Sequence, residues 1–242
     1  MPNPLAIQLQ ASAAKSADGT GTAVDLGDRT FAEIAIDVTA ITASTTIAFT
    51  VETSRANNNW VLLSSVAALS AAQTTTLKVC SAWRYLRVKW AITGATPSVT
   101  FAVNGTAHQL YCEPSDIWTH GIPKVAVQQM PLELLAEKCL SASDEAAGYL
   151  ASAYELPMVS LDKACVKHVA CIATYELMRP RGYKADSGKD DQIRQGYDDA
   201  LKWFNRIASG GLRPPGMVDS SADVTESEVY VESGASRGWH FP

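Results

Sequence analysis

The hydrophobic period of this chain changes once, and that change constrains its fold more than any other feature. From about residue 5 to residue 106, apolar and polar side chains alternate. Ile34, Ile36 and Val38 are set against Glu33 and Asp37, and Ile47, Phe49 and Val51 against Glu52. The same beat returns in Leu86, Val88, Trp90 and Ile92, and again in Val99, Phe101 and Val103. A period of two, rich in Val and Thr, is the pattern of half-buried antiparallel strands. Turn signals at Asp18-Gly19, Gly27-Asp28, Asn57-Asn58-Asn59, Gly94 and Asn104-Gly105 divide the region. They leave about seven or eight short strands, the number expected of a sandwich or jelly-roll-like domain.

Around His108 to Pro114 the alternation stops and helix signals begin. The sequence therefore predicts an α+β chain of two domains: an antiparallel β-sandwich over 1–108 and a small helical bundle over 109–211. An extended C-terminal arm over 212–242 is expected to follow. Pro114-Ser115-Asp116 opens a short helix that Gly121 closes, and Pro123 and Pro131 are early-position prolines. The helix from Pro131 to Tyr154 organises the rest. Ala142, Ala146, Tyr149, Leu150 and Ala153 form its core stripe, and Ala146, Ala147 and Gly148 are expected to let a second helix approach closely. Pro157 ends it. Ser160 is the expected N-cap of a helix over 161–178, stopped by Pro180 and Gly182. A polar loop over 183–190 leads to a last helix over 190–209, with Ile193, Tyr197, Leu201, Phe204 and Ile207 at helical spacing and Gly210-Gly211 as its stop. Tyr149, Leu150, Tyr154, Leu156, Tyr175, Tyr197 and Phe204 are the expected helical core.

After Gly211 the helical period is lost. Glu226 to Glu232 is strand-like, with Val229 and Val231 alternating against Tyr230, and the chain finishes on Trp239-His240-Phe241. Disordered tails carry few aromatics, whereas Trp and Phe are interface anchors. Val229, Tyr230, Val231, Arg237, Trp239 and Phe241 are accordingly the expected contacts of the arm with a partner or a neighbouring copy.

Charge divides at the same boundary. Residues 1–108 carry seven basic and six acidic side chains, and residues 109–242 carry 13 and 19, within an overall net charge of −5. An acidic domain does not grip nucleic acid through phosphate contacts. No apolar run approaches the ~20 residues of a membrane span. The opening MPNPLAIQLQ lacks the basic start and long apolar core of a secretory signal. Five cysteines without a CxxC pair read as thiols of a reducing compartment.

Motifs of catalysis are missing: there is no GxxxxGK[ST], HExxH, GxSxG or GxGxxG. Cys165, His168 and Cys171 stand at i, i+3 and i+6, so the third is turned well away from the first and the three are not expected to share a metal. The acidic pairs Asp144-Glu145, Asp190-Asp191 and Asp198-Asp199 are adjacent and point apart. No catalytic residue, cofactor or metal is expected. One strand invites a binding role: in SAWRYLRVKW, Trp83, Tyr85, Arg87 and Lys89 fall on one face, opposite Arg84, Leu86, Val88 and Trp90. Such an aromatic and basic face suits a glycan or a polyanion, and it equally suits a solvated sheet face above an apolar core.

Several ordered blocks over residues 111–213 resemble the head–tail joining (adaptor, head-completion) proteins of tailed bacteriophages, and the Mu-type joining family in particular. The blocks are YCEPSDI, YLASAYELP, DKACVKHVACIATYELM and QIRQGYDDALKWFNRIASGGL, and the terminal SRGW is similar to the Ser-Arg-rich ends of that family. The resemblance implies a non-enzymatic virion component that forms a ring below the portal, usually of about twelve copies. It also implies portal and tail-side partners, a stopper among them, and an arm reaching the portal or a neighbour. DNA would pass through without specific binding, which the acidic balance suits. The N-terminal β domain departs from the short members of the family. It is expected either to brace the capsid vertex or other virion proteins, or to act as a virion-attached glycan-binding module.

Overall fold

The computed structural model describes residues 4–80, 82–181 and 188–221. It is an α+β fold in two parts, antiparallel sheets followed by helices. The strands are β1 (Leu5–Lys15), β2 (Gly19–Thr20), β3 (Val24–Asp25), β4 (Phe31–Ile41), β5 (Thr46–Ser54), β6 (Val61–Leu69), β7 (Gln73–Val79), β8 (Tyr85–Thr93) and β9 (Val99–His108). One sheet runs β1-β9-β4-β7; the other runs β2-β8-β5-β6, with β3 continuing β2 along β8. Taking β2 and β3 as one interrupted strand, the chain changes sheet at every connection except β5 to β6. That path is a jelly roll.

Alternation puts the predicted residues between the sheets. Ile34, Ile36, Val38, Phe101 and Val103 face Ile47, Phe49, Val51, Leu86, Val88 and Trp90 in one continuous core. Burying each large apolar side chain contributes about 1.5–3 kcal/mol. Phe49 and Trp90 meet Phe101 edge-on, with centroids 5.0 and 5.1 Å away. Trp90 donates its indole N–H to the Ala17 carbonyl at 3.1 Å, so this ring is buried with its polar atom paired. Asn104-Gly105, read as a turn, lies inside β9. Its glycine serves close approach instead, since a Cβ there would stand 2.3 Å from the Glu33 carbonyl oxygen.

The second part contains α1 (Pro114–Asp116), a π-helical turn (Ile117–Gly121), α2 (Lys124–Val127), α3 (Leu132–Leu150), β10 (Met158–Ser160), α4 (Lys163–Met178), α5 (Gly188–Ala208) and β11 (Val218–Asp219). Leu135, Cys139, Ala142, Ala146 and Leu150 of α3 meet Cys165, Val169, Ile172 and Ala173 of α4 and Ala200, Phe204 and Ile207 of α5. α3 ends at Leu150, although the Tyr154 N–H still donates to the Leu150 carbonyl at 2.9 Å. Gly148 does not join its stripe: it is exposed, with open space where a Cβ would stand, because two residues turn it away from Ala146. The N-cap of α4 is Asp162, whose carboxylate accepts from the Ala164 N–H at 3.3 Å. Ser160 is instead taken into β10, paired with Val218 of β11.

That pairing bears on the C-terminal segment. Residues 212–221, expected to begin an extended arm, lie on the bundle: Leu212 and Met217 pack on its core and Pro214 is buried. The Ser220 N–H donates to the Glu155 carbonyl at 3.3 Å and Asp219 accepts from the Glu155 N–H at 3.0 Å. The strand-like stretch 226–232 and the contacts expected of Val229, Tyr230, Val231, Arg237, Trp239 and Phe241 lie outside the described residues.

The two parts are joined as well as linked. Phe31 and Cys80 of the jelly roll bury against Ala136 of α3, with Leu110 and Leu140 packed beside them. Lys78 of β7 pairs with Glu137 of α3 and stands 3.7 Å from Glu33. The buried Tyr111 N–H donates to Ser143 Oγ at 2.8 Å, and that hydroxyl donates to the Cys139 carbonyl.

Candidate functional site

The outward side chains of β8 are Tyr85, Arg87 and Lys89, as the alternation requires. Trp83 precedes the strand, half-buried, with its backbone N–H held by Thr53 Oγ1 at 2.7 Å. The strand starts only at Tyr85, so Arg84 is not on the core face: it is exposed and forks onto Asp25 at 2.9 to 3.1 Å. This guanidinium, with the Gly27 N–H, holds Asp25 below the usual carboxylate range.

The aromatic rings of this face are already engaged. Arg55 lies over Trp83, 4.7 Å from the ring centroid, and Arg87 lies over Trp60 at 4.0 Å. Arg87 also pairs with Glu52 at 2.7 Å. A sugar platform needs a bare ring face and a polyanion site needs uncompensated cations. Here guanidinium groups occupy a face of each tryptophan, and carboxylates offset Arg84 and Arg87. Trp60, which follows the Asn57-Asn58-Asn59 turn signal, carries in the sequence the same two readings as the β8 face, whereas Arg55 carries no signal there; both sit in the β5–β6 connection rather than on β8.

In the bundle, Leu150 and Phe204 are fully buried. Tyr149 stacks on Phe204 with centroids 6.1 Å apart, and Tyr175 stacks on Tyr197 at 4.3 Å. Tyr154 and Leu156 are half-buried at the margin of the same core. His168 stacks on Trp203 at 4.7 Å, and Trp203 meets Phe204 edge-on at 5.0 Å. Trp203 escaped the sequence reading because it stands one residue off the α5 stripe. Burial lowers the His168 pKa. Cys165 lies inside the core, where burial pushes its thiol up to about 12. A histidine engaged with a tryptophan and a buried, protonated thiol do not make a nucleophile–base pair. Among the described residues, no three His, Cys, Asp or Glu side chains gather as a metal set. A cleft of about 380 Å³ between the π-helical turn, α4 and α5 is lined by His120, Ile122, Cys171, Thr174, Gln192 and Ile193. Its lining carries no convergent charges. Among the described residues, no helix is long and apolar enough to cross a membrane.

The bundle, with the segment that follows it, is a unit of bacteriophage proteins. Residues 111–232, half of the chain, match the family described as Bacteriophage Mu, Gp36, and the chain belongs to that family. The Mu-like prophage FluMu protein gp36 of Haemophilus influenzae is 28% identical over 95 residues, 39% of this chain and 62% of that protein. The chain therefore spans about three-fifths of that relative's length. Among solved structures, the PBSX exported protein XepA is 21% identical, with a TM-score of 0.35 over 43% of this chain and 37% of that one. The SPBc2 prophage-derived protein YomS is 14% identical, with a TM-score of 0.29 over 44% of this chain and 94% of that one. Likenesses this slight carry no weight for fold or function.

Proposed function

We infer that this bacteriophage protein is a non-enzymatic, structural connector at the head–tail vertex of the virion. In this reading the helical bundle closes a ring of about twelve copies below the portal and passes the DNA through without specific binding. The β domain faces outward, towards the capsid or other virion proteins. The single observation that carries the reading is the extent of the family match. It begins at Tyr111, where the bundle begins, and runs past β11 to residue 232, taking in the strand-like stretch after the body. A bundle and its trailing segment matched together are what a subunit with a docking arm requires. Main-chain pairing by 227–231 supplies affinity and Trp239 and Phe241 supply anchors. A tail-side stopper would meet the opposite rim.

The glycan-binding alternative loses its best support at the sheet face, where arginines already stack on Trp60 and Trp83. The test is deletion of 226–242 in the phage. Particles are expected to lose the protein and their tails while the truncated chain keeps its fold by circular dichroism. Tailed particles that still carry the truncated chain would overturn the arm, and electron microscopy showing no ring at the vertex would overturn the connector.

A further inference from the structure

A sheet edge presents unpaired N–H and C=O groups, and folded proteins blunt it with charge, proline, bulges, interruption or a covering element. The jelly roll treats its four edges unequally. β7 carries Lys78, and its C-terminal end meets α3 across a cleft lined by Thr76, Lys78, Pro131 and Glu133 and bridged by Lys78–Glu137. β2 and β3 are two-residue pieces. β1 has its Leu9 carbonyl taken by the Thr22 N–H at 3.0 Å, carries two register shifts and ends in Lys15.

β6 differs. Its nine residues, VLLSSVAAL, hold no charge and no proline, and the chain carries no charged side chain from Ala56 to Leu77. Nothing among the described residues lies along its outer side in the sheet order. Like β1 it carries two register shifts, between Leu62 and Ser64 and between Val66 and Leu69, but these leave Ser64, Ser65 and Val66 in regular succession with Val51, Thr50 and Phe49. Val61 and Leu62 are 48% and 61% exposed, on a strand that closes with Ala67-Ala68-Leu69.

We propose that the β6 edge docks β6 of a second copy of this chain, antiparallel about a two-fold axis at Ser65. Two features select this occupant. Bulk is distributed unevenly within the strand, so a two-fold lays Leu62-Leu63 over Ala67-Ala68. Leu62 falls opposite Ala68 and Leu63 opposite Ala67, with Val61 against Leu69. Charge is the second feature. A two-fold contact brings the same patch of each copy together and therefore sets like charges against one another. An uncharged edge escapes that penalty. Joining the edges runs one sheet through both copies and covers the exposed Leu62. Rotation about a ring axis produces head-to-tail contacts, so this two-fold contact belongs to the free chain before it enters a ring.

The experiment uses the full-length chain in analytical ultracentrifugation over a concentration series. The wild type dimerises. S65K and S65E each set like charges face to face on the axis and weaken the dimer at least tenfold, with melting curves unchanged. An equimolar mixture of S65K and S65E restores dimers, since the two charges now pair. A91K, on the outward face of the central strand β8, leaves the dimer as it was. L62E is the second disruptive variant should S65K fail to fold. A wild type that stays single up to about 1 mM, variants that dimerise like wild type, or a mixture that restores nothing would each overturn the proposal. The connector reading is tested on particles, so the two stand or fall separately.

Discussion

Ser143 offers a direct test of how the organising helix holds the chain between the two domains. It is fully buried in α3, and its hydroxyl accepts from the Tyr111 N–H at 2.8 Å while donating to the Cys139 carbonyl at 2.6 Å. Tyr111 is itself buried, 1% exposed, just after the last strand of the jelly roll. In S143A the Tyr111 N–H loses its partner and water cannot replace it. Leaving a buried donor unsatisfied costs about 1–3 kcal/mol. The Cys139 carbonyl loses a donor too, and the better helix propensity of alanine returns about 0.5 kcal/mol. The net loss is about 1.5 kcal/mol. For a domain of about 100 residues that lowers the melting temperature by roughly 6–12 °C. The assay is thermal and urea unfolding followed by far-ultraviolet circular dichroism at the helix band, since the long helices α3, α4 and α5 all belong to the bundle and the jelly roll is made of strands. S141A is the control: Ser141 is exposed, bonded to Glu176 at 3.0 Å, and its loss is expected to stay within about 0.5 kcal/mol. A bundle transition in S143A that matches S141A would refute the role given to this hydroxyl.

G121A is expected to destabilise the bundle by about 1–3 kcal/mol, because a Cβ there would stand 2.0 Å from Thr174 Oγ1. Adding T174A, which removes the obstructing hydroxyl and methyl but keeps the Cβ at 2.9 Å, is expected to recover part of that loss in the same urea titration. Equal losses in the single and double variants would count against the steric account. E145Q is expected to stabilise the chain slightly at neutral pH, by about 0.5 kcal/mol or less after solvent screening. Burial and the nearby Glu176 raise the Glu145 pKa, so the folded state holds this proton more tightly than the unfolded chain does. The ionised form therefore costs stability above that range, and the advantage of glutamine fades as the pH falls towards the ordinary value of 4.5. Unfolding free energies of wild type and variant that differ by the same amount at pH 7 and pH 4 would contradict this.

The strands were legible because one face of each is buried, and burial writes itself into every second residue. Ile34, Ile36 and Val38 could be assigned to a core without knowing any neighbour. Which strands pair was not legible in the same way, because alternation identifies a face and not an edge. Helix ends were decided by distant chain. Ser160 and Asp162 are both good caps by chemistry, and β11, far along the sequence, recruits Ser160 into a ribbon. Arg84 followed the alternation on paper but stands outside the strand, where Asp25 claims it. The engaged state of the sheet face depends on Arg55 and Trp60, which arrive from a connection that the Asn57-Asn58-Asn59 run marks as a turn without fixing where its side chains land. The family blocks were legible because they fall on the helices and their turns, from YCEPSDI at the linker to QIRQGYDDALKWFNRIASGGL along α5.

The pairing of β11 with β10 changes what a tug on the C-terminus would do. Without it, load applied beyond Ser221 would peel α5 from its last turn. With it, force enters at the junction between α3 and α4, where the Glu155 and Met158–Ser160 backbone receives the returning chain. The ribbon therefore has to part before the load reaches the last turn of α5. An anchorage placed there spares α5, the longest helix among the described residues.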